Sequence, residues 1–130
     1  MMRVVCAIIH DSSGKLLLTK RSGRMDHAFH WEFPGGKVKP GESDEQAIVR
    51  EIHEELQIIV APQKKLTPIE WQYPGKKIVL VPIICEIRSG TVGLTEHIAH
   101  CWQNIGDIEH MTVLGADRQV LKHLKSTYEN

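Results

Sequence analysis

Three glutamates, Glu51, Glu54 and Glu55, are the residues whose type and spacing best suit chemistry. At about 100° per residue, a helix places them within an arc of roughly 100°. Like charges three and four residues apart repel each other on a helix. Mg²⁺ or Mn²⁺ reverses that sign, because these hard cations prefer clustered oxygen ligands and commonly bridge carboxylates to substrate phosphates. The spacing therefore indicates metal-dependent chemistry on a phosphate.

The same acidic face has a plain structural interpretation, since paired glutamates on helices commonly form a solvated surface. Asp44 falls in the same arc, two turns earlier, whereas the angle of His53 points away from it and predicts an exposed side chain. Gly35 and Gly36 lie nearby in sequence, and a bare backbone carbonyl there could supply a further oxygen ligand. The carboxylates alone leave both interpretations open.

The helix that carries the glutamates has a clear predicted start and a buried face. Ser43 and Gln46 form a capping box, and the helical periodicity continues to about Leu56. Val49 and Ile52 fall with Leu56 in a separate sector, which predicts the side that packs on a core.

The segment around this helix resembles the Nudix box, G-x5-E-x7-R-E-U-x-E-E-x-G-U, in which U is a large apolar residue. The residues in register are Gly36, Glu42, Arg50, Glu51, Ile52, Glu54, Glu55 and Ile58. One position departs, because Gln57 stands where the family has a glycine. Since that glycine suits a left-handed helix C-cap, Gln57 must adopt that conformation or end the helix differently.

The resemblance implies an α/β/α sandwich around a mixed sheet and hydrolysis of a nucleoside diphosphate linked to another group. It implies a Mg²⁺ or Mn²⁺ site whose ligands are Glu51, Glu54, Glu55 and the Gly35 carbonyl. Glu42 would lie in the outer shell, and Arg50 would orient Glu51 through a charge-assisted hydrogen bond. The general base would be Glu51 or, as a second candidate, Glu96.

The resemblance extends over nearly the whole chain to MutT-type pyrophosphohydrolases. It implies that Arg21 contacts phosphate or the base, and that the Phe33 backbone and Asp117 read the base. Trp31 is expected in the core or a pocket wall. His97 and His100, next to Glu96, are expected at the surface because hard-metal chemistry does not require imidazole.

Residue 117 bears on the substrate and leaves two candidates open. MutT-type enzymes that act on 8-oxo-dGTP have an asparagine here, which donates and accepts, whereas ionised Asp117 only accepts. An acceptor suits the cytosine N4 amino group but opposes the guanine O6 unless it is protonated. The expectation is an 8-oxo-dGTP sanitiser acting in DNA repair, with a (d)CTP or 5-methyl-dCTP pyrophosphohydrolase as the alternative. A non-catalytic nucleotide-sensing Nudix module is the alternative of another class.

The elements that must position these residues form a strand-rich α/β or α+β pattern. Strands are predicted at residues 3–9, 15–19, 31–33, 37–39, 58–61, 67–72, 77–87 and 97–103. The first two are predicted to pair as a hairpin through the 11–14 turn. The Pro34-Gly35-Gly36 run is predicted to interrupt pairing. Helical segments are predicted at residues 106–111 and 116–126, the second with Val120, Leu121 and Leu124 on its buried face.

Length and composition bound the functional classes. The 130 residues, 42% hydrophobic and 25% charged, favour one globular domain over residues 1–130. Sixteen basic and sixteen acidic residues give no basic excess, which argues against duplex nucleic acid as a partner. No apolar run is long enough to cross a bilayer. Cys6, Cys85 and Cys101 are predicted to be reduced residues of a cytoplasmic protein. The expected partner is a small nucleotide, and the sequence indicates no oligomeric state.

Overall fold

The computed structural model describes the backbone of residues 1–128 and the side chains of residues 1–126. Its strands are β1 (Met2–Ile9), β2 (Leu16–Lys20), β3 (Trp31–Glu32), β4 (Gly35–Lys37), β5 (Ile59–Lys65), β6 (Ile69–Tyr73), β7 (Lys76–Ser89) and β8 (Ala99–Gln103). Its helices are α1 (Asp44–Leu56), α2 (Ile105–Ile108) and α3 (Gly115–Tyr128). Every predicted strand and helix is present, with boundaries shifted by a few residues.

Two sheets organise the described chain. In the larger, mixed sheet β1 pairs antiparallel with β4 and parallel with β7. The other edge of β7 pairs antiparallel with β6 and then with β5. The smaller sheet is antiparallel in the order β3-β2-β8. The site lies where β4 meets α1, close to β3 of the other sheet.

The two faces of β1 bury alternate side chains in different cores. Val5 and Ala7 pack with the apolar face of α1, whereas Cys6 and Ile8 pack in the cluster that contains the apolar face of α3. Side chains alternate across a strand, and a strand covered on both faces reads as a continuous apolar run. This arrangement is the predicted α/β/α sandwich around a mixed sheet.

The helices bury the faces that the sequence predicts. In α1, Ile52 and Leu56 are fully buried and Val49 is half-buried. In α3, the buried residues include Val120, Leu121 and Leu124. Across residues 1–128, no helix has the length and apolar character needed to span a membrane. The three cysteines are free thiols, with Cys6 and Cys85 buried.

The predicted hairpin between the first two strands is wrong beyond its turn. Asp11 closes the turn, because its Oδ1 accepts from the backbone N–H groups of Ser13 and Lys15, both at 2.9 Å. After the single bridge between His10 and Leu16 the strands separate, and β2 joins β8 and β3 in the other sheet. Both strands are apolar on both faces, so each needs its own sheet partners.

The predicted interruption at Pro34-Gly35-Gly36 is also wrong for the two glycines. Gly35 and Gly36 are strand residues of β4, paired with Cys6 and Val5. A Cβ atom on Gly35 would lie 1.9 Å from the Val5 carbonyl oxygen. The absence of a side chain therefore permits the pairing.

Candidate active site

Arg50 is the charged centre of the first half of the site. Its Nε and Nη2 donate to the two carboxylate oxygens of Glu42 at 2.7 and 2.8 Å, and Nη2 also donates to the Lys37 carbonyl. Its Nη1 donates to Glu51 Oε1 at 2.8 Å and approaches Glu54 Oε2 at 3.4 Å. The predicted bond from Arg50 to Glu51 is present, and Glu42 lies behind Arg50.

The surroundings of Glu42 keep its carboxylate ionised. Hydrogen bonds from the Arg50 side chain and then from the Lys39 backbone N–H lower the pKa of Glu42 to about 2. In return, the same ion pair raises the pKa of Arg50. The pair of Arg50 with Glu42 is balanced in charge, and it ties α1 and the segment before it to the end of β4.

The three predicted metal-ligand glutamates occupy different environments. Glu51 lies against β4, where a Cβ on Gly36 would be 2.3 Å from the carboxylate carbon of Glu51. The side chain of Glu54 is 54% exposed. Glu55 points inward, and its Oε2 is buried with no hydrogen-bond partner among the described residues.

Glu55 carries a strong electrostatic perturbation. Burial, followed by the charges of Glu32, Glu51 and Glu96, raises the pKa of Glu55 to about 9, although a hydrogen bond from the Gly35 backbone opposes the shift. Burying an ionised carboxylate without a partner is unfavourable. A bound cation would relieve that cost.

The donor set fits a hard divalent cation, although it is not a finished cage. In the part of the chain that the structure describes, no three carboxylate, imidazole or thiol side chains lie together as a complete metal site. Without a cation, Arg50 supplies the positive charge between Glu51 and Glu54. The buried oxygen of Glu55 and the neighbouring carboxylate of Glu51 are the ligand chemistry that Mg²⁺ prefers. Asp44 does not contribute, because it pairs with Arg3 and Lys65.

The end of α1 shows how the chain accommodates Gln57. Gln57 adopts the left-handed conformation at φ 59° and ψ 29°, and His53, one turn before it, is exposed as predicted. A loop then covers the last turn of α1. In it Gly93 donates to the Leu56 carbonyl, and the Thr95 hydroxyl lies 3.3 Å from the carbonyl oxygens of both Glu54 and Glu55.

That loop brings Glu96 to the acidic site. Glu96 is exposed, and its charge contributes to the raised pKa of Glu55. Glu96 comes from a segment some 40 residues after α1, so only the tertiary fold joins the two. The predicted second base candidate therefore lies near the other carboxylates.

An open cavity of about 220 Å³ adjoins the acidic site and contains all three predicted substrate-binding residues, Arg21, Phe33 and Asp117. Asp117, at the start of α3, is 6% exposed and accepts the Phe33 backbone N–H at 2.8 Å. Burial and then the nearby charge of Glu32 raise the pKa of Asp117 well above its usual range. The cavity therefore favours a neutral Asp117, which can donate one hydrogen bond as well as accept.

Glu32 is the residue of this cavity that the sequence interpretation missed. Its carboxylate accepts from Arg21 Nη1 at 3.1 Å and from His97 Nε2 at 2.7 Å. Its charge raises the pKa of both Glu55 and Asp117. The signal was its position beside Phe33, but strand β3 is too short for periodicity to show which way Glu32 points.

The two histidines near Glu96 differ. His100 is exposed as predicted, whereas His97 is buried and bonded to Glu32, so the surface prediction for His97 is wrong. Two further cavity residues were also missed, His27 and Tyr73, whose ring centroids are 4.9 Å apart. Trp31 is half-buried against the core, as expected.

Comparisons with known proteins define the class. Residues 1–124 match the NUDIX domain family. The MutT protein of Methanosarcina mazei superposes on 99% of this chain and 96% of its own, with a TM-score of 0.90 and 27% identity. The chain belongs to the Nudix family, and the predictions of a Nudix hydrolase and a Nudix fold are confirmed.

Two curated relatives carry different substrate names. The CTP pyrophosphohydrolase of Escherichia coli is 40% identical over 102 residues, or 78% of this chain and 75% of that protein. The 8-oxo-dGTP diphosphatase of Haemophilus influenzae is 39% identical over 77 residues, or 59% of this chain and 57% of that protein. The chain therefore resembles proteins named for both of the predicted substrates.

Proposed function

We propose that the protein hydrolyses a nucleoside triphosphate to a nucleoside monophosphate and pyrophosphate in a Mg²⁺-dependent reaction, with Mn²⁺ as a substitute. The observation that carries this proposal is the Glu55 carboxylate, buried with an unpartnered oxygen beside Glu51 and next to the Asp117 cavity. An ionised carboxylate that is buried without a cation is unfavourable for folding. Such a cost is expected at a site where a cation binds.

Each site residue then has a role. The metal would be held by Glu51, Glu54, Glu55 and the Gly35 carbonyl, where it would neutralise phosphate charge and lower the pKa of bound water. Arg50 holds Glu51 in place and is itself fixed by Glu42. Water forms a new P–O bond at one phosphorus of the α–β bridge as the bridging P–O bond breaks, so that pyrophosphate separates from the nucleoside monophosphate. The proton of that water goes to Glu51 or Glu96.

We propose 8-oxo-dGTP as the substrate, which would give the protein a role in nucleotide-pool sanitation and DNA repair. The objection to an aspartate at position 117 was that an ionised carboxylate repels the guanine O6. The raised pKa of Asp117 removes this objection, because a neutral carboxyl group donates to O6 while its other oxygen accepts. Arg21 lies in the same cavity, within reach of base or phosphate.

A cytosine nucleotide is the second candidate, and the Escherichia coli CTP pyrophosphohydrolase favours it. The same neutral carboxyl group can donate to cytosine N3 and accept from the N4 amino group. The carboxyl group of Asp117 can therefore hydrogen-bond to either base. Activity on 8-oxo-dGTP, dGTP, dCTP and 5-methyl-dCTP distinguishes the two candidate substrates.

The test is pyrophosphate release from these four nucleotides in Mg²⁺, with EDTA as the metal-free control. We expect pyrophosphate and nucleoside monophosphate from 8-oxo-dGTP, and none in EDTA. Release of orthophosphate alone would contradict the assigned bond. Glu54→Gln should lower turnover by about two orders of magnitude or more with an unchanged unfolding midpoint, because Glu54 is exposed. Full activity of Glu54→Gln would contradict the metal assignment.

A further inference from the structure

His97 is a buried side chain to which the proposed reaction gives no role. Its side chain is 5% exposed, and its Nε2 lies 2.7 Å from Glu32 Oε2. An ionised carboxylate only accepts hydrogen bonds, so Nε2 carries the proton and donates it. The other ring nitrogen, Nδ1, is buried with no partner among the described residues. A buried nitrogen without a hydrogen-bond partner costs free energy. The hydrogen bond to Glu32 is therefore the contact that must offset this cost.

The bond joins two parts of the site that are far apart in sequence. Glu32 lies on β3 and lines the cavity that contains Asp117, where Arg21 holds its carboxylate from the other side. His97 belongs to the loop between β7 and β8. Glu32 is therefore a fixed point on the cavity wall to which this loop attaches.

The loop is attached on both sides of Glu96. Before Glu96, the Thr95 hydroxyl and backbone N–H contact carbonyl oxygens at the end of α1. After it, His97 binds Glu32 and the Ile98 backbone N–H donates to the Lys20 carbonyl. Of the residues at 95–98, His97 alone is buried. Its side chain is thus the inward anchor next to Glu96.

We infer that His97 is a positioning residue that, by donating to Glu32, holds Glu96 beside the carboxylates of α1. This inference rests on the proposed function, in which Glu96 is a candidate base. It assigns His97 no contact with substrate or metal, and it predicts that the effect of His97 on turnover passes through Glu96. That requirement separates positioning from a general contribution to folding.

The experiment is a double-mutant cycle on turnover of the nucleotide that the wild-type protein hydrolyses. The variants are His97→Ala, Glu96→Gln and the pair, with unfolding midpoints measured for each. We expect His97→Ala to lower kcat about tenfold or more, and to change KM less than threefold. In the Glu96→Gln background the same substitution should lower kcat less than twofold, because the residue on which it acts is already altered.

Two further variants sharpen the test. His100→Ala is the matched control, since His100 is an exposed histidine three residues away. We expect it to keep wild-type kcat. His97→Gln retains an N–H donor of similar reach, and it should recover at least a third of wild-type kcat.

The outcomes distinguish this inference from the proposed function. An equal loss of kcat from His97→Ala in both backgrounds would show that His97 acts independently of Glu96 and would overturn the inference. Wild-type kcat in Glu96→Gln, or no difference between His97→Ala and His100→Ala, would also overturn it while leaving the proposed reaction standing. If the wild-type protein releases no pyrophosphate from any nucleotide, the proposed function itself fails.

Discussion

The carboxylates of the site fall into two regions, one that stabilises the ionised form and one that disfavours it. Around Arg50, the carboxylate of Glu42 receives several hydrogen bonds and its pKa falls to about 2. The carboxyl groups of Asp117, in the cavity, and of Glu55, in the adjoining acidic site, are buried near the charge of Glu32, and the pKa of each is raised. The ion pair of Arg50 and Glu42 is satisfied within the protein itself. In the second region, burial and a neighbouring negative charge perturb both carboxyl groups, a pattern that is typical of functional sites.

We expect the largest effect of this difference in the free energy of unfolding of Glu55→Gln, compared with the wild-type protein in the absence of a divalent cation. The pKa of Glu55 is about 9 when folded and 4.5 by its ordinary value, so the folded state binds this proton more tightly. The resulting stability is fully present below about pH 4.5 and is lost as the pH rises towards 9, by up to about 1.4 kcal/mol per pH unit.

Glu55→Gln removes this titration. In EDTA at pH 8, we expect its free energy of unfolding to exceed that of the wild-type protein by about 2–4 kcal/mol, and the gap to nearly vanish at pH 4.5. Denaturant titration at both pH values measures this difference in the free energy of unfolding. Glu54→Gln serves as the control, because Glu54 is exposed. Saturating Mg²⁺ should narrow the gap at pH 8, because it stabilises the ionised wild-type carboxylate. An equal gap at both pH values contradicts the assigned burial.

The region around Arg50 should respond in the opposite direction. Arg50→Met removes the cation that binds Glu42 and Glu51, and leaves two carboxylates, whose side chains are 14% and 16% exposed, without that salt bridge. We expect a loss of about 1–3 kcal/mol in the free energy of unfolding. Turnover should also fall about tenfold or more, because Glu51 is no longer oriented.

Arg88→Met is the matched control for Arg50→Met. Arg88 also pairs with a glutamate, Glu86, but both side chains are more than half exposed. Exposed pairs contribute about 0–1 kcal/mol, so we expect a change below about 0.5 kcal/mol and unchanged turnover. If the two variants lost equal stability, the largely buried ion pairs of Arg50 would contribute no more than the exposed pair of Arg88 and Glu86, and this contrast would be wrong.

The sequence predicts the first region better than the second, for a physical reason. Arg50, Glu51 and Glu54 lie on one helix, so helical periodicity with a recognisable motif is enough to relate them. Glu42 is joined to them through the same motif. The cavity instead combines Glu32 from β3 with Asp117 from α3, and Glu32 binds His97 from a loop, so the proximity of these residues depends on tertiary packing.

The errors follow the same division. The surface prediction for His97 rests on the argument that hard-metal chemistry does not require imidazole, and nothing next to His97 in the sequence indicates a partner 65 residues away. The pairing of Gly35 and Gly36 was missed because a glycine run ordinarily predicts a turn, and only the close approach of β1 shows that it fits a strand. Local patterns therefore predicted elements and the acidic helix, but not which strands pair or which acids share a cavity.

The smallest expected effect tests the neutral state of Asp117. If Asp117 must donate a hydrogen bond to the base, kcat/KM of the wild-type protein should fall as the pH rises through its raised pKa. Asp117→Asn keeps a donor and an acceptor at every pH, and its amide oxygen can still accept the Phe33 N–H.

Taking the ratio of kcat/KM for Asp117→Asn to wild type cancels the titration of Glu55 and of the substrate, which both proteins share. Measured from pH 6 to pH 9, this ratio should rise as Asp117 loses its proton, by at most about tenfold per pH unit. A flat ratio would mean that Asp117 does not change its donor role over this range, and the contrast between the two regions would then rest on Glu55 alone.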